Sequence, residues 1–238
     1  ITNNYQGIFI YGGDGGTYGG PYAVPGGSIY HNNIVGNEQY GIMVDPNATD
    51  GPLNAENNWW GTVDPSQVYA MVGGPVEVFP WLDAPYPGGK PVAATSENVS
   101  DSGTVDAKDN VGATVDYNCK SGSSTTVTVM KYPGVPENTG KPVFGSAGLY
   151  VDVYVSDPDA LENITIKVYY EDADISAQGL VESELRIYYW DNLALAWLPC
   201  SDSGVNTDED YIWATLTENT KPPLSYLLGG PFGGGSPG

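Results

Sequence analysis

The stretch Ala55-Glu-Asn-Asn-Trp-Trp-Gly-Thr-Val-Asp-Pro65 sets Trp59 and Trp60 side by side, behind Asn57 and Asn58 and ahead of Gly61. Neighbouring residues of a strand point to opposite faces, so a core on one side buries only one of the two indoles. The other has to cover something. The stretch therefore marks a place where one element ends and another packs over it.

Working outward, His31-Asn32-Asn33-Ile34 matches Glu56-Asn57-Asn58-Trp59 at a spacing of 25 residues. Gln6-Gly7-Ile8-Phe9-Ile10 likewise matches Tyr40-Gly41-Ile42-Met43-Val44, with a glycine-rich insertion from Gly12 to Gly27 lengthening the first repeat. Repeats of this kind read as stacked coils. A single coil cannot bury its apolar face, but neighbours share one core. Glycine at a corner supplies the positive φ, and asparagines at equivalent corner positions form a hydrogen-bonded ladder. On this alignment Trp59 takes the core position of Ile34, and Trp60 packs outward beneath residues 62–91. The alternative is an ordinary aromatic pair of a β-sandwich.

Residues 1–63 resemble the right-handed parallel β-helix repeats of secreted surface proteins and carbohydrate-acting proteins. Asn57-Asn58-Trp59-Trp60-Gly61 is similar to the Asn-Trp-Trp-Gly sequence that ends such helices in archaeal and bacterial surface proteins. The resemblance implies that these five residues cap a short β-helix remnant.

Residues 64–92 are rich in proline and apolar residues and read as a segment covering the capped end, then a linker around Pro85, Pro87, Gly88, Gly89 and Pro91. Beyond it the texture changes to alternating strands: Leu149 to Val155, Ile164 to Tyr170, Leu185 to Tyr189, Thr125 to Met130, Tyr211 to Leu216 and Leu224 to Leu228. Strands at this spacing predict an antiparallel, Ig-like β-sandwich over 93–228. Ile187-Tyr-Tyr-Trp-Asp191 followed by Trp197-Leu-Pro-Cys200 reads as a hairpin and resembles an element of archaeal surface-protein sandwich modules. The last ten residues, 229–238, read as a flexible Gly/Pro tail. The fold class is therefore all-β.

Composition narrows the function. The net charge is −21, from 29 acidic against 8 basic residues, which repels phosphate backbones and excludes a nucleic-acid partner. No apolar run approaches the roughly 18 residues of a membrane span. The chain opens in mid-pattern at Ile1 without a signal peptide, as a processed or fragmentary terminus would. Cys119 and Cys200 would pair in an oxidising compartment, closing a long loop worth roughly 3–5 kcal/mol; the alternative is two separate buried thiols. Sequons at Asn47, Asn98 and Asn163 fit an extracellular chain.

Catalytic constellations are sparse. A β-helix lyase needs a cation and a base, and no Lys or Arg precedes Lys90. The acids of the repeats are scattered over turns, not paired for hydrolysis. His31, the single histidine, reads as a corner residue. Acidic turns offer oxygen ligands for a structural Ca²⁺: Asp157, Asp159 and Glu162; Glu171, Asp172 and Asp174; and Asp202, Asp208, Glu209 and Asp210. The alternative is solvated turns, and no other cofactor is implied. Tyr188, Trp190 and Trp197 would suit a sugar-stacking face if they are not core.

The expected protein is non-catalytic, extracellular and structural, a homo-oligomer or polymer of a surface layer, sheath or filament. Its assembly edge would be Gln6, Gly7, Ile8, Phe9 and Ile10, paired by a neighbouring subunit. The competing reading is a glycan-binding or polysaccharide-modifying β-helix module whose active coils lie upstream.

Overall fold

A computed structural model describes residues 1–10, 28–45, 53–132, 134–136, 139–191, 193–228 and 230–237. The chain is all-β in its main elements and divides into two compact units, Ile1–Val92 and Ala93–Gly238.

In the first unit, β1 (Gln6–Ile10), β2 (Tyr40–Val44), β3 (Leu53–Asn54), the short helix α1 (Pro65–Ala70), β4 (Val72–Gly73) and β5 (Val76–Glu77) follow in order. Strands β1, β2 and β4 form one parallel sheet, and β3 pairs β5 in parallel. Parallel bridges join Thr2 to Val35, Ser28 to Asn54 and Asn33 to Trp59. Parallel pairing of segments so close in sequence requires the chain to go round and return in the same direction. The path continues past Trp60: Asn57 N–H donates to the Pro80 carbonyl (2.6 Å) and Leu82 N–H to that of Asn58 (2.9 Å). Residues 64–92 therefore pair within this unit, and the parallel path runs on past Trp60.

The two tryptophans are exchanged relative to expectation. Trp60 is buried against Ile34, and Trp59 is half-buried. The cause is register. The observed spacing is 26 residues, with Asn32 against Asn58 and Asn33 bridged to Trp59. A slip of one residue sends each side chain to the opposite face. Gly41 makes room for the indole: a Cβ there would lie 2.8 Å from both Ile34 Cγ2 and Trp60 Cζ3.

The second unit contains β6 (Ala94–Ser100), β7 (Ser102–Ala107), α2 (Lys108–Val111), β8 (Ala113–Cys119), β9 (Ser124–Lys131), β10 (Gly145–Val155), β11 (Leu161–Tyr169), α3 (Asp172–Ala177), β12 (Arg186–Asp191), β13 (Ala196–Pro199), β14 (Ser203–Asn206), β15 (Tyr211–Leu216) and β16 (Pro231–Ser236). A six-stranded sheet runs β13-β12-β16-β10-β9-β6 and a five-stranded sheet β14-β15-β11-β8-β7, with every pair antiparallel. One apolar core takes Val127, Val129, Val151, Val153, Ile187 and Phe232 from the first and Val115, Ile164, Ile166, Ile212 and Leu216 from the second. The alternation of apolar and polar residues in β11 and β15 accounts for their one buried face.

Two expectations are corrected here. Leu224–Leu228 is a 3₁₀ turn, not a strand. The supposed tail contains β16, a buried strand hydrogen-bonded on both sides, between β10 and β12. Its glycines fit because their neighbours crowd the backbone. A Cβ on Gly234 would meet Ile212 Cδ1 at 2.4 Å, and one on Gly233 would meet the rings of Tyr150 and Phe144 at 3.1 and 3.2 Å. Phe232 supplies the strand's apolar anchor. Tyr226, in the turn just before, accepts from Trp190 N–H (3.1 Å) and donates toward the Trp190 carbonyl (2.9 Å), pinning the approach to β12.

Candidate functional site

The expected assembly edge is built by β1. Gln6 to Ile10 pair with β2 along one side, and no described residue pairs the other. Phe9 is 48% exposed, and Gly7, Ile8 and Ile10 are half-buried. Glutamine and asparagine amides run between coils beside it. Gln6 Nε2 donates to Gln39 Oε1 (2.7 Å), and Asn4 Nδ2 to Asn37 Oδ1 (3.3 Å). The strand carries no charge and no proline, the devices that commonly discourage edge pairing.

The supporting corner is formed by the asparagines of the opening stretch. Asn58 is fully buried. Its Nδ2 donates to the carbonyls of Ile29 (2.6 Å) and Ala55 (2.7 Å), and its Oδ1 accepts from Asn32 N–H (2.9 Å) and Asn32 Nδ2 (3.2 Å). The amide is saturated, two donors and two acceptor positions, which is the condition for burying it cheaply. Asn57 (φ 56°) and His31 (φ 59°) take the left-handed conformation, joined by a bond from His31 N–H to the Asn57 carbonyl (2.9 Å). Gly61 (φ 87°) also occupies that region, with its Cβ direction facing Val35.

The remaining candidates are dispersed. Cys119 and Cys200 are separate buried thiols, so the expected disulfide is absent. Burial raises both above the usual thiol pKa, for Cys119 with help from Asp101, which keeps them protonated and unreactive. Asn98 is exposed on the edge strand β6, its Oδ1 accepting from Thr126 Oγ1 (2.7 Å). Asn163 is half-buried in β11 and accepts from Asn118 Nδ2 (2.9 Å). Asn47 lies outside the described residues.

Asp157 Oδ1 caps its own turn by accepting from Asp159 N–H (3.2 Å), and Asp208 N–H donates to Asn206 Oδ1 (3.0 Å). Among the described residues the carboxylates that converge are Asp172, Glu182 and Asp210, with oxygens within 4.8 Å of one another. Asp172 and Asp210 of this trio belong to the acidic turns named from the sequence and Glu182 does not; Asp157, Asp159, Glu162 and Asp208 are not part of the group. Tyr170 Oη donates to Glu182 Oε1 (2.8 Å), and burial followed by this bond raises the phenol's pKa. The trio presents oxygens to a hard cation, but its members come from the start of α3, a 3₁₀ segment (Glu182–Glu184) and the turn before β15, which no local spacing reveals.

Tyr188, Trp190 and Trp197 are core. All three are buried, Phe144 stacks on Tyr188 at 4.0 Å, and Trp197 Nε1 donates to the Gly140 carbonyl (2.9 Å). A cleft of about 550 Å³ opens nearby, lined by Val135, Lys141, Phe144, Ser146, Tyr150 and Gln178. The exposed rings lie elsewhere. Tyr30, His31 and Tyr86 cluster on the first unit, with His31 stacked on Tyr86 (4.8 Å, 9°) and Tyr30 edge-on to His31 (5.1 Å). Among the described residues no helix is long and apolar enough to cross a membrane. No family model matches this chain, and no curated protein or solved structure does either.

Proposed function

We propose that this chain is a non-catalytic, extracellular structural protein of a cell surface layer, sheath or filament. The first unit is read as coils of a right-handed parallel β-helix and the second as an Ig-like β-sandwich. The observation that carries the proposal is the uncharged strand β1, which among the described residues lies at the end of its sheet with β2 as its neighbour. A second copy pairing there would extend the parallel ladder by main-chain bonds. A head-to-tail contact that does not close gives a filament or sheet. The high negative charge suits a secreted surface and leaves room for bridging cations between copies.

Sedimentation velocity across a concentration series tests this proposal. Species growing with concentration support it, and a monomer throughout the series overturns it.

A further inference from the structure

We propose that Tyr30, His31 and Tyr86 form a sugar-stacking platform that takes a neutral pyranose of a glycan. Three rings meet at one spot and stay in water: Tyr30 is 58% and Tyr86 42% exposed, and His31 is exposed. Aromatic rings bury large apolar areas, so a cluster left outside a core needs another reason to exist.

The cluster is also held rigidly. Leu82 and Pro91 bridge the base of the loop that carries Tyr86. At the tip, Asn33 clamps the backbone of that residue: its Oδ1 accepts from Tyr86 N–H (2.8 Å) and its Nδ2 donates to the Tyr86 carbonyl (3.1 Å). One amide thus substitutes for a strand partner and fixes the ring over His31. The left-handed backbone of His31 and its bond to Asn57 fix the imidazole from the other side. A surface ordered before binding loses little entropy on binding. The rings stand as a stacked pair with a third at 82°, which gives flat faces in two directions together with phenol and imidazole hydrogen-bonding groups.

Charge selects the ligand. The first unit carries eight Asp and Glu against the one cation Lys90, in the Tyr86 loop, so an anionic sugar meets net repulsion and a neutral one does not. A pyranose offers an apolar C–H face to the rings and hydroxyls to the polar groups around them.

His31 is the single histidine, so its imidazole Cε1–H resonance belongs to one known residue of the intact chain. Titration with chitohexaose and with cellohexaose reads the site directly, with polygalacturonate and choline as charged controls. The expected result is a saturable shift of that resonance with a neutral oligosaccharide and none with polygalacturonate. Tyr86→Ala should weaken binding about tenfold. Asn33→Ala should weaken it too by releasing the loop, and Tyr5→Ala, at an exposed tyrosine of the same unit, should leave it unchanged. Tyr30→Ala provides the same test if Tyr86→Ala does not fold. No shift with either neutral oligosaccharide, unaltered binding by the platform variants, or a response to choline or polygalacturonate alone would overturn the proposal.

Discussion

Asn58 Oδ1 accepts hydrogen bonds from both the backbone and the side-chain amide of Asn32, at 2.9 and 3.2 Å. That contact sets a spacing of 26 residues between coils, and with it which tryptophan faces the core. Asn58→Ala would orphan the Ile29 and Ala55 carbonyls in a buried corner. It is expected to destabilise the first unit by about 2–4 kcal/mol. Asn58→Asp should cost at least as much at neutral pH, because a carboxylate has no proton for those carbonyls. Urea unfolding of each variant checks both.

The exchange of the two indoles makes a second prediction. Trp60→Ala empties a fully buried site beside Ile34 and Gly41 and should cost about 3–5 kcal/mol. Trp59→Ala, at a half-buried site, should cost about 1–2 kcal/mol. The order of their urea midpoints decides which indole is core.

A third prediction concerns β16. Gly234→Ala forces a methyl group against Ile212 and should destabilise the second unit by about 1–3 kcal/mol. Gly134→Ala, where a Cβ meets nothing within 4 Å, should stay within about 0.5 kcal/mol of the parent. Equal thermal midpoints for the two variants would mean that the strand is not packed as described.

A fourth prediction follows from the ion pair between Lys167 and Asp116, 2.7 Å apart. Burial raises the Asp116 pKa, but the hydrogen bonds from Lys167 and Thr104 outweigh it and leave the carboxyl below its usual value of 3.8. A depressed folded pKa contributes stability that is present above the unfolded pKa and is lost as pH falls through the folded one. Asp116→Asn should therefore be less stable than the parent at pH 7, by under about 1 kcal/mol for so exposed a pair. The difference should shrink as the pH falls below the usual carboxyl value of 3.8 and through the lower folded one. Urea midpoints at pH 7 and pH 2.5 measure it.

The strands of the second unit were legible wherever polar and apolar residues alternate, as in Ile164-Thr165-Ile166-Lys167-Val168. Strand β16 was not, because Gly233, Gly234 and Gly235 carry no side chains to alternate. The reason for glycine there lies in Ile212 and Tyr150, which only the tertiary structure brings close. In the first unit the repeats were visible but their register was not. At 25 residues Asn32-Asn33 matches Asn57-Asn58 at both positions, at 26 only Asn32 meets Asn58, so the sequence points to 25 and the bonds of Asn58 set 26. Strand β1 could be read directly from Gln6 to Ile10. The Asn33–Tyr86 clamp spans 53 residues and the Asp172, Glu182 and Asp210 group joins separate turns, so neither leaves a local pattern.

The central claim is that copies assemble through β1, and electron microscopy of the parent beside Ile8→Pro and Phe9→Pro tests it most directly. Adjacent residues of a strand send their N–H groups to opposite sides, so one of these prolines removes a donor from the open side of β1. The account predicts ordered filaments or sheets from the parent and their loss in that variant, with its circular dichroism unchanged. Dispersed particles from the parent, or assemblies that survive both substitutions, would contradict it.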